Sequence, residues 1–205
     1  EDRFDAMRVA AKLDIPFETW DLTKEYREDV VNYMIKEYAI GRTPNPDVMC
    51  NKYIKFGLFL EKALKNGADF FATGHYIRKI VYKFKKTYKL LRAIDQNKDQ
   101  SYFLWTLTQE QLKHCLFPIG DYTKPEVRKL AKKFGLPVAE KKDSQGVCFI
   151  GPIDVGDFLK KYIKSKKGKI IDLDGDFVGE HGGSHYYTIG QRHGLYIKNG
   201  RGPYY

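Results

Sequence analysis

The apolar positions in the first part of the chain recur at helical spacing, apart from one short continuous run. The spacing predicts a helix over residues 5–13, whose inner face consists of Ala6, Val9, Ala10 and Leu13. The apolar run at 15–20 predicts a short buried strand, so helix and strand together are typical of the end of one unit of an α/β domain. A second helix is predicted over 26–39, and Gly41 is expected to end it.

Two prolines then interrupt the helical pattern. Pro44 and Pro46 exclude a helix interior and a central strand, which predicts a loop over 42–47. Helical spacing returns over 53–64, so Cys50 is expected at or just inside a helix start, where the helix dipole stabilises a thiolate. Asp47 precedes Cys50 by three residues, and the two side chains face one another if this stretch is helical.

The middle of the chain predicts a strand and a hairpin. Residues 68–73 form an apolar run that ends in Gly74 and His75, and ligands of open α/β sheets bind at the carboxyl ends of strands. A histidine at such a position is as often structural as it is a ligand contact. Residues 77–94 predict a β-hairpin with a lysine-rich turn.

The pattern changes again toward the end of the chain. Thr123, Pro125 and Glu126 predict a helix start, with threonine as the N-cap and glutamate three residues later. After residue 169 short apolar runs separated by glycine predict small β structure. We therefore expect a domain boundary near residue 155, with an α/β domain over 1–155 and the start of a small domain over 156–205.

The charge of the chain is basic and clustered. The formal net charge is +10 and the sequence pI is about 9.3, a balance that favours a polyanionic partner such as nucleic acid. The basic residues cluster in 78–98 and 160–169, although a lysine-rich solvated surface has the same appearance. No apolar run is long enough to span a bilayer, and the first residues show no signal-peptide pattern, so we expect no membrane association.

Three cysteines, Cys50, Cys115 and Cys148, are widely spaced and include no CxxC pair. This spacing argues against a structural zinc site, a tightly bound metal and a secreted disulfide scaffold, and it favours free thiols in a reducing, cytoplasmic compartment. Cys115 is expected in the core. Cys148 follows a turn-forming segment and two lysines, a setting that favours a thiolate, but core packing remains the alternative for it and for Cys50.

Several segments, taken in order, are highly specific as a combination. They are Gly41–Asp47 with Cys50-Asn51, Ile54–Gly57, Ala72–Tyr76, Lys98–Leu104, Phe117–Gly120, Lys142–Gly151 and Tyr187–Arg192. Together they resemble the tRNA-specific 2-thiouridylase family over nearly the whole chain. The resemblance implies a Rossmann-like parallel-sheet domain of the adenine nucleotide alpha hydrolase type, followed by a small, mostly β domain.

The resemblance also implies a reaction and its catalytic residues. Members of this family adenylate the C2 oxygen of the wobble uridine (position 34) with ATP and replace that oxygen by sulfur, releasing AMP and diphosphate. Cys148 resembles the residue that receives sulfur as a persulfide. Cys50 resembles its partner, which attacks the persulfide or forms a transient disulfide, and Asp47 resembles the acid–base residue.

Further roles and partners follow from the same resemblance. Residues expected to contact the target base are Asn45, Pro46 and Asp47. Gly74 is expected in the ATP site, with Mg²⁺ accompanying the nucleotide, and the residues expected to touch tRNA are His75, Lys98, Asp99 and Gln100. The implied partners are tRNA and a sulfur-donor protein. A monomeric, cytoplasmic protein of bacterial type is expected, and a mitochondrial homologue is the alternative source.

The sequence departs from the family pattern in one respect, because it contains no Ser-Gly-Gly-x-Asp-Ser phosphate loop. We therefore expect the chain to start downstream of that loop and to lack the family's C-terminal β-barrel, which predicts that the 205 residues alone do not adenylate RNA. Two alternatives remain open. One is another ATP pyrophosphatase, and the other is a basic RNA-binding module with inert thiols. The enzyme interpretation predicts that Cys50 and Cys148 label much faster than Cys115.

Overall fold

The computed structural model describes residues 2–82, 84, 87–142, 155–195 and 197. The chain forms two units. The first unit comprises residues 1–26 and 47–144, and the second comprises 27–46 and 145–205. Cys148 and its neighbours, 143–154, lie outside the described residues.

The first unit contains a pair of parallel strands, in agreement with the parallel sheet that the family resemblance implies. Strand β1 (Phe71–Ala72) pairs in parallel with β4 (Cys115–Leu116), and Thr73 N extends the ladder by donating to Leu116 O at 3.0 Å. Parallel strands need a crossover between them, and a hairpin and helices supply it here. The helices of this part of the chain are α1 (Asp2–Leu13), α2 (Thr23–Tyr26), α4 (Pro46–Met49), α5 (Leu60–Lys65), α6 (Gln109–His114) and α7 (Lys124–Lys133).

Between α4 and α5 the helical backbone is wider than an α-helix. Cys50–Phe59 has π-type turns, so that α4, this π segment and α5 follow one another along the chain without a break. Four of its residues are buried: Cys50, Asn51, Ile54 and Phe56. A core cluster forms on this side of the segment and consists of Phe56, Leu60, Ile77, Leu104 and Cys115. The core thus fixes the helix that carries Cys50 against β4 and the short 3₁₀ turn Ser101–Leu104.

The predicted hairpin is confirmed. Strands β2 (Ile77–Tyr82) and β3 (Thr87–Arg92) pair antiparallel, from Ile77 opposite Arg92 to Tyr82 opposite Thr87. Lys79 fixes the hairpin to the end of α6, because its Nζ donates to the backbone oxygens of Leu112, at 2.9 Å, and of Cys115.

The predicted start of α7 is also confirmed. Thr123 N donates to Glu126 Oε2 at 2.7 Å, which closes the capping box, and Pro125 lies in the first turn. The helix ends before Gly135, whose φ of 62° suits a residue without a Cβ.

The predicted inner face of the first helix is wrong at Ala6 and Leu13, which are exposed, and two predictions of secondary structure are also wrong. Residues 15–20 are not a strand, and Ile15 is 54% exposed. A strand needs a hydrogen-bonding neighbour, and no described strand pairs with this segment. The predicted loop over 42–47 ends at Asn45, because Pro46 and Asp47 begin α4. Proline is tolerated in the first turn of a helix, where its missing N–H removes no intrahelical bond.

The second unit has its own small core. A π-type turn, Arg27–Val31, leads into α3 (Asn32–Ala39), and α8 (Val155–Lys160) precedes the predicted β structure. Strands β5 (Gly168–Ile171) and β6 (Phe177–His181) pair antiparallel, with a register shift between Ile170 and Ile171. The buried residues of this unit include Val30, Met34, Leu159 and Val178. Within the described residues no helix is long and apolar enough to cross a membrane.

Candidate functional site

A cleft of about 660 Å³ opens in the first unit at the carboxyl end of β1. It is lined by Gly74, Tyr76, Asn97, Lys98, Asp99, Gln100, Phe103, Lys124, Val138, Lys141 and Lys142. The structure therefore brings together four of the residues that sequence analysis selected: Gly74, Lys98, Asp99 and Gln100. They come from two segments that are far apart in sequence, the turn after β1 and the loop after β3.

Two backbone-directed hydrogen bonds join these segments. Tyr76 N donates to Gln100 Oε1 at 2.9 Å, and Gln100 N donates to Tyr76 O at 2.9 Å. A Cβ added at Gly74 would meet no atom within 4 Å, so the cleft beside this glycine is open. The amide of Gln100 thus holds the cleft wall in place, whereas Gly74 leaves room for a ligand.

Asp99 also supports the loop from within. Its carboxylate accepts hydrogen bonds from Ser101 Oγ at 2.7 Å and Ala93 N at 2.8 Å, and Arg92 Nε lies 3.4 Å away. Burial by itself raises the pKa of Asp99, but the hydrogen bonds from Ser101 and Ala93, with Arg92, outweigh it and hold that pKa below its usual value. The carboxylate therefore stays ionised and balances Arg92.

Four lysines give the cleft its basic character. Lys124 Nζ lies 5.7 Å from the centre of the Tyr76 ring, which holds this ammonium group at the cleft wall. Lys141 Nζ lies 2.6 Å from both Asp2 and Asp5, so its charge is balanced by α1. Lys98 and Lys142 complete the set. A cleft of this charge suits phosphate groups, whether of a nucleotide or of an RNA backbone.

His75, expected to touch tRNA, has its side chain inside the first unit. The residue is 8% exposed, its Nδ1 shares a hydrogen bond with Thr73 Oγ1 at 2.9 Å, and its ring packs on Phe56. Burial, followed by the nearby charge of Lys55, lowers the pKa of His75 to about 4, so the imidazole is neutral at pH 7. In this conformation His75 supports the turn that carries Gly74.

Cys50 is fully buried at the start of the π segment, and half-buried Asp47 lies one turn earlier in α4. The expected helical spacing of these two residues is thus present. Asn45 and Pro46 are half-buried and belong to the second unit. The predicted partner of Cys50, Cys148, lies outside the described residues.

Cys115 matches its expected place in the core. It is fully buried in β4, and burial raises the pKa of its thiol to about 11 despite the opposing effect of Lys79. A thiol with this pKa is almost entirely protonated at pH 7 and is a poor nucleophile.

The sequence did not indicate two residues of the cleft wall. They are Tyr76, which is bonded to Gln100 and contacts Lys124, and Lys124 itself. The capping pattern at Thr123 located the helix start but gave no indication that Lys124 lies beside Tyr76. The anchoring of Lys141 by Asp2 and Asp5 joins residues at opposite ends of the described first unit, and no local pattern indicates it.

The cleft suits the phosphates of a nucleotide in charge and space, because open volume beside Gly74 adjoins several lysines. Within the described ranges no group of three or more His, Cys, Asp or Glu side chains is placed to hold a metal ion.

The parallel strand pair, with a cleft at the carboxyl end of β1, places the first unit among Rossmann-like α/β folds that bind ligands at that edge. Residues 1–152 match the family model described as "tRNA methyl transferase HUP domain", and residues 156–205 match "tRNA methyl transferase PRC-barrel domain". The chain therefore belongs to this family. Its HUP domain, 1–152, is followed by its PRC-barrel domain, 156–205.

Curated relatives bear a more particular name, "tRNA-specific 2-thiouridylase MnmA". The relative from Listeria monocytogenes serovar 1/2a is 51% identical over 100% of this chain and 55% of its own length. The relative from Christiangramia forsetii is 48% identical over 96% of this chain and 59% of its own length. The resemblance inferred from the sequence is thereby confirmed, and the chain spans somewhat more than half the length of the relatives it matches.

Proposed function

We propose that this chain is the tRNA-receiving and sulfur-handling part of a transferase that forms 2-thiouridine at the wobble position of tRNA. The observation that carries the proposal is the lysine-lined cleft, in which the loop bearing Lys98, Asp99 and Gln100 is bonded to the turn bearing Gly74. The names of the relatives supply the reaction class, because they are called tRNA-specific 2-thiouridylases.

ATP supplies the leaving group in this reaction. The C2 oxygen of uridine leaves poorly as oxide or hydroxide, whereas its adenylate leaves as AMP after diphosphate has been released. Gly74 lies where the nucleotide has space, and the lysines of the cleft balance the negative charges of nucleotide and RNA. The backbone of Lys98–Gln100 and the turn at His75 orient the tRNA.

The sulfur steps use the two cysteines. Cys148 carries a persulfide that a donor protein delivers. Attack of the Cys50 thiolate on Cys148 Sγ forms a Cys50–Cys148 disulfide and releases the outer sulfur as hydrosulfide, which adds to C2 while AMP departs. A cellular thiol reductant then restores both thiols.

The target base needs its own contacts. Asn45, Pro46 and Asp47 are proposed to hold the flipped uridine, and Asp47 exchanges a proton with it. We assign the catalytic role to a domain over 1–155 and an accessory role to the domain over 156–205. The protein acts as a cytoplasmic monomer, and its basic hairpin 77–94 attracts the RNA backbone.

Burial favours one competing function. Cys50 is fully buried, as is Cys115, and this is the arrangement expected of an RNA-binding module with inert thiols. Labelling each cysteine with iodoacetamide near neutral pH in the presence of tRNA, and quantifying the peptides by mass spectrometry, separates the two. The thiolase proposal predicts faster labelling of Cys50 and Cys148 than of Cys115, whereas equally slow labelling supports the binding module.

A direct test of the proposal uses tRNA binding and adenylation together. The 205-residue chain is expected to bind tRNA. Lys98→Gln should lower the slope of log Kd against log salt concentration by about 1, as expected for the loss of one phosphate contact. Lys132→Gln is the matched control, because Lys132 is paired with Glu140 at 2.6 Å outside the cleft. ATP–diphosphate exchange is expected from the complete gene product but not from the 205 residues. Exchange by the short chain, or absence of tRNA binding, contradicts the proposal.

A further inference from the structure

Asn51 is a buried amide whose hydrogen bonding is only half satisfied. It is 2% exposed, its Nδ2 donates to Phe103 O at 3.3 Å, and its Oδ1 has no hydrogen-bond partner among the described residues. An unsatisfied buried acceptor destabilises the folded state. A leucine would fill similar space without that cost, so packing alone does not account for an amide at this position.

The backbone around Asn51 explains why a side-chain anchor matters here. Cys50 and Asn51 begin the π segment, whose i→i+5 turns are wider and less regular than those of an α-helix. The segment is fixed from outside at two points. Asn51 Nδ2 bonds to Phe103 O near its start, and Gln111 Nε2 donates to Phe56 O at 2.8 Å near its end. The first of these anchors is adjacent to Cys50.

The same anchor leads directly to the cleft. Phe103 lines the cleft, and Phe103 N donates to Gln100 O at 3.1 Å, while Gln100 is bonded to Tyr76. A continuous series of hydrogen bonds thus runs from the turn after β1, through the loop proposed to contact tRNA, to the residue next to Cys50.

We propose that Asn51 is a positioning residue that ties the Cys50 helix to the tRNA-contacting loop, so that tRNA bound in the cleft sets the position of the Cys50 thiol. This inference rests on the proposed function of the cleft and of Cys50. Since Cys50 is buried when the anchor is intact, a shift of Phe103 on tRNA binding is transmitted to the helix start and exposes the thiol.

The test compares Asn51→Leu and Asn51→Ser with Asn66→Leu. Asn66 also donates its Nδ2 to a backbone oxygen, that of Lys62 at 2.7 Å, but on the exposed end of α5. Three quantities are measured: Tm, tRNA affinity of the 205-residue chain, and iodoacetamide labelling of Cys50 with and without tRNA. The kcat and KM of thiolation are measured in the complete gene product.

For Asn51→Leu we expect at most a small fall in Tm, because Phe103 O loses its donor while the unsatisfied Oδ1 of Asn51 is removed. The tRNA Kd should stay within about twofold, while tRNA no longer changes the labelling rate of Cys50 and kcat falls about tenfold or more. Asn51→Ser, which keeps a donor on a shorter side chain, should fall between wild type and Asn51→Leu. Asn66→Leu should change neither the tRNA affinity, nor the labelling of Cys50, nor kcat.

Two results overturn the inference. One is a tRNA-dependent change in Cys50 labelling that survives in Asn51→Leu. The other is a fall in Tm that is accompanied by an equal loss of tRNA binding, which assigns Asn51 a purely structural role. Absence of thiolation in the wild-type gene product contradicts the proposed function instead, and the labelling comparison remains valid without it.

Discussion

Tyr76 and Gln100 are joined by two hydrogen bonds of opposite direction, each 2.9 Å long, one through the Gln100 side chain and one through its backbone. The pair closes the loop that follows β3 onto the turn that follows β1. Lys98 and Gly74 therefore line the same cleft, because the side-chain amide of Gln100 accepts a hydrogen bond from the backbone of Tyr76, 24 residues earlier.

Gln100→Leu is expected to weaken tRNA binding through the position of Lys98. The change leaves Tyr76 N without an acceptor inside the protein, which costs about 1–3 kcal/mol of folding stability and loosens the loop. We predict a rise of about tenfold in the tRNA Kd, measured by fluorescence anisotropy. Asn66→Leu, which removes an exposed amide bond, is the control, and an equal rise in both variants contradicts this account of the loop.

His75 makes stability depend on pH in the mildly acidic range. Its pKa is about 4 in the folded chain and near 6.5 when unfolded, so the unfolded state binds the proton first as pH falls. Stability is therefore full above about pH 6.5 and is lost progressively down to about pH 4, by about 3 kcal/mol.

Urea unfolding of wild type and His75→Gln between pH 7.5 and 4 measures this effect. Carboxylates titrate in both proteins, so the difference between the two curves isolates His75. The wild type should lose more stability than the variant over this range. Parallel curves would show that His75 is already protonated or exposed in the folded chain.

Lys79 is predicted to anchor the basic hairpin rather than to bind RNA. Its Nζ is committed to the backbone oxygens of Leu112 and Cys115 and lies 5.1 Å from the Tyr88 ring. Lys79→Met should lower stability by about 1–2 kcal/mol, a fall in Tm of about 2–8 °C. Lys89→Met, on the exposed side of β3, should leave Tm unchanged and lower the salt slope of tRNA binding instead. A fall in Tm with Lys89→Met, and a lower salt slope with Lys79→Met, would contradict this assignment of roles.

Local patterns in the sequence predicted the elements whose causes are local. The capping box at Thr123 and Glu126 and the hairpin 77–94 both depend on neighbours within a few positions. The strand predicted at 15–20 failed because strand formation depends on a partner elsewhere in the chain. Pro46 was predicted to lie in the loop because proline disrupts a helix interior but is tolerated in the first turn. The sequence does not show at which residue this helix begins.

The candidate site shows the same division. Gly74 was found because it follows an apolar run, and the Lys98–Gln100 segment was found through the family resemblance. The hydrogen bond from Asn51 to Phe103 joins residues 52 positions apart, and the one from Lys141 to Asp2 joins residues 139 positions apart. Neither contact produces a local pattern in the sequence. Contacts of this kind are set by how the elements pack, and the structure is needed to find them.

The measurement that tests the central claim most directly is nucleoside mass spectrometry of unmodified tRNA after incubation with the complete gene product, ATP, magnesium and a persulfide donor. The account predicts 2-thiouridine with wild type and a clear deficit with Cys50→Ser or Cys148→Ser. Free sulfide in place of the donor should partly restore Cys148→Ser, because the adenylation step remains intact. Absence of 2-thiouridine with every donor, while tRNA still binds, would contradict the account and identify an RNA-binding module.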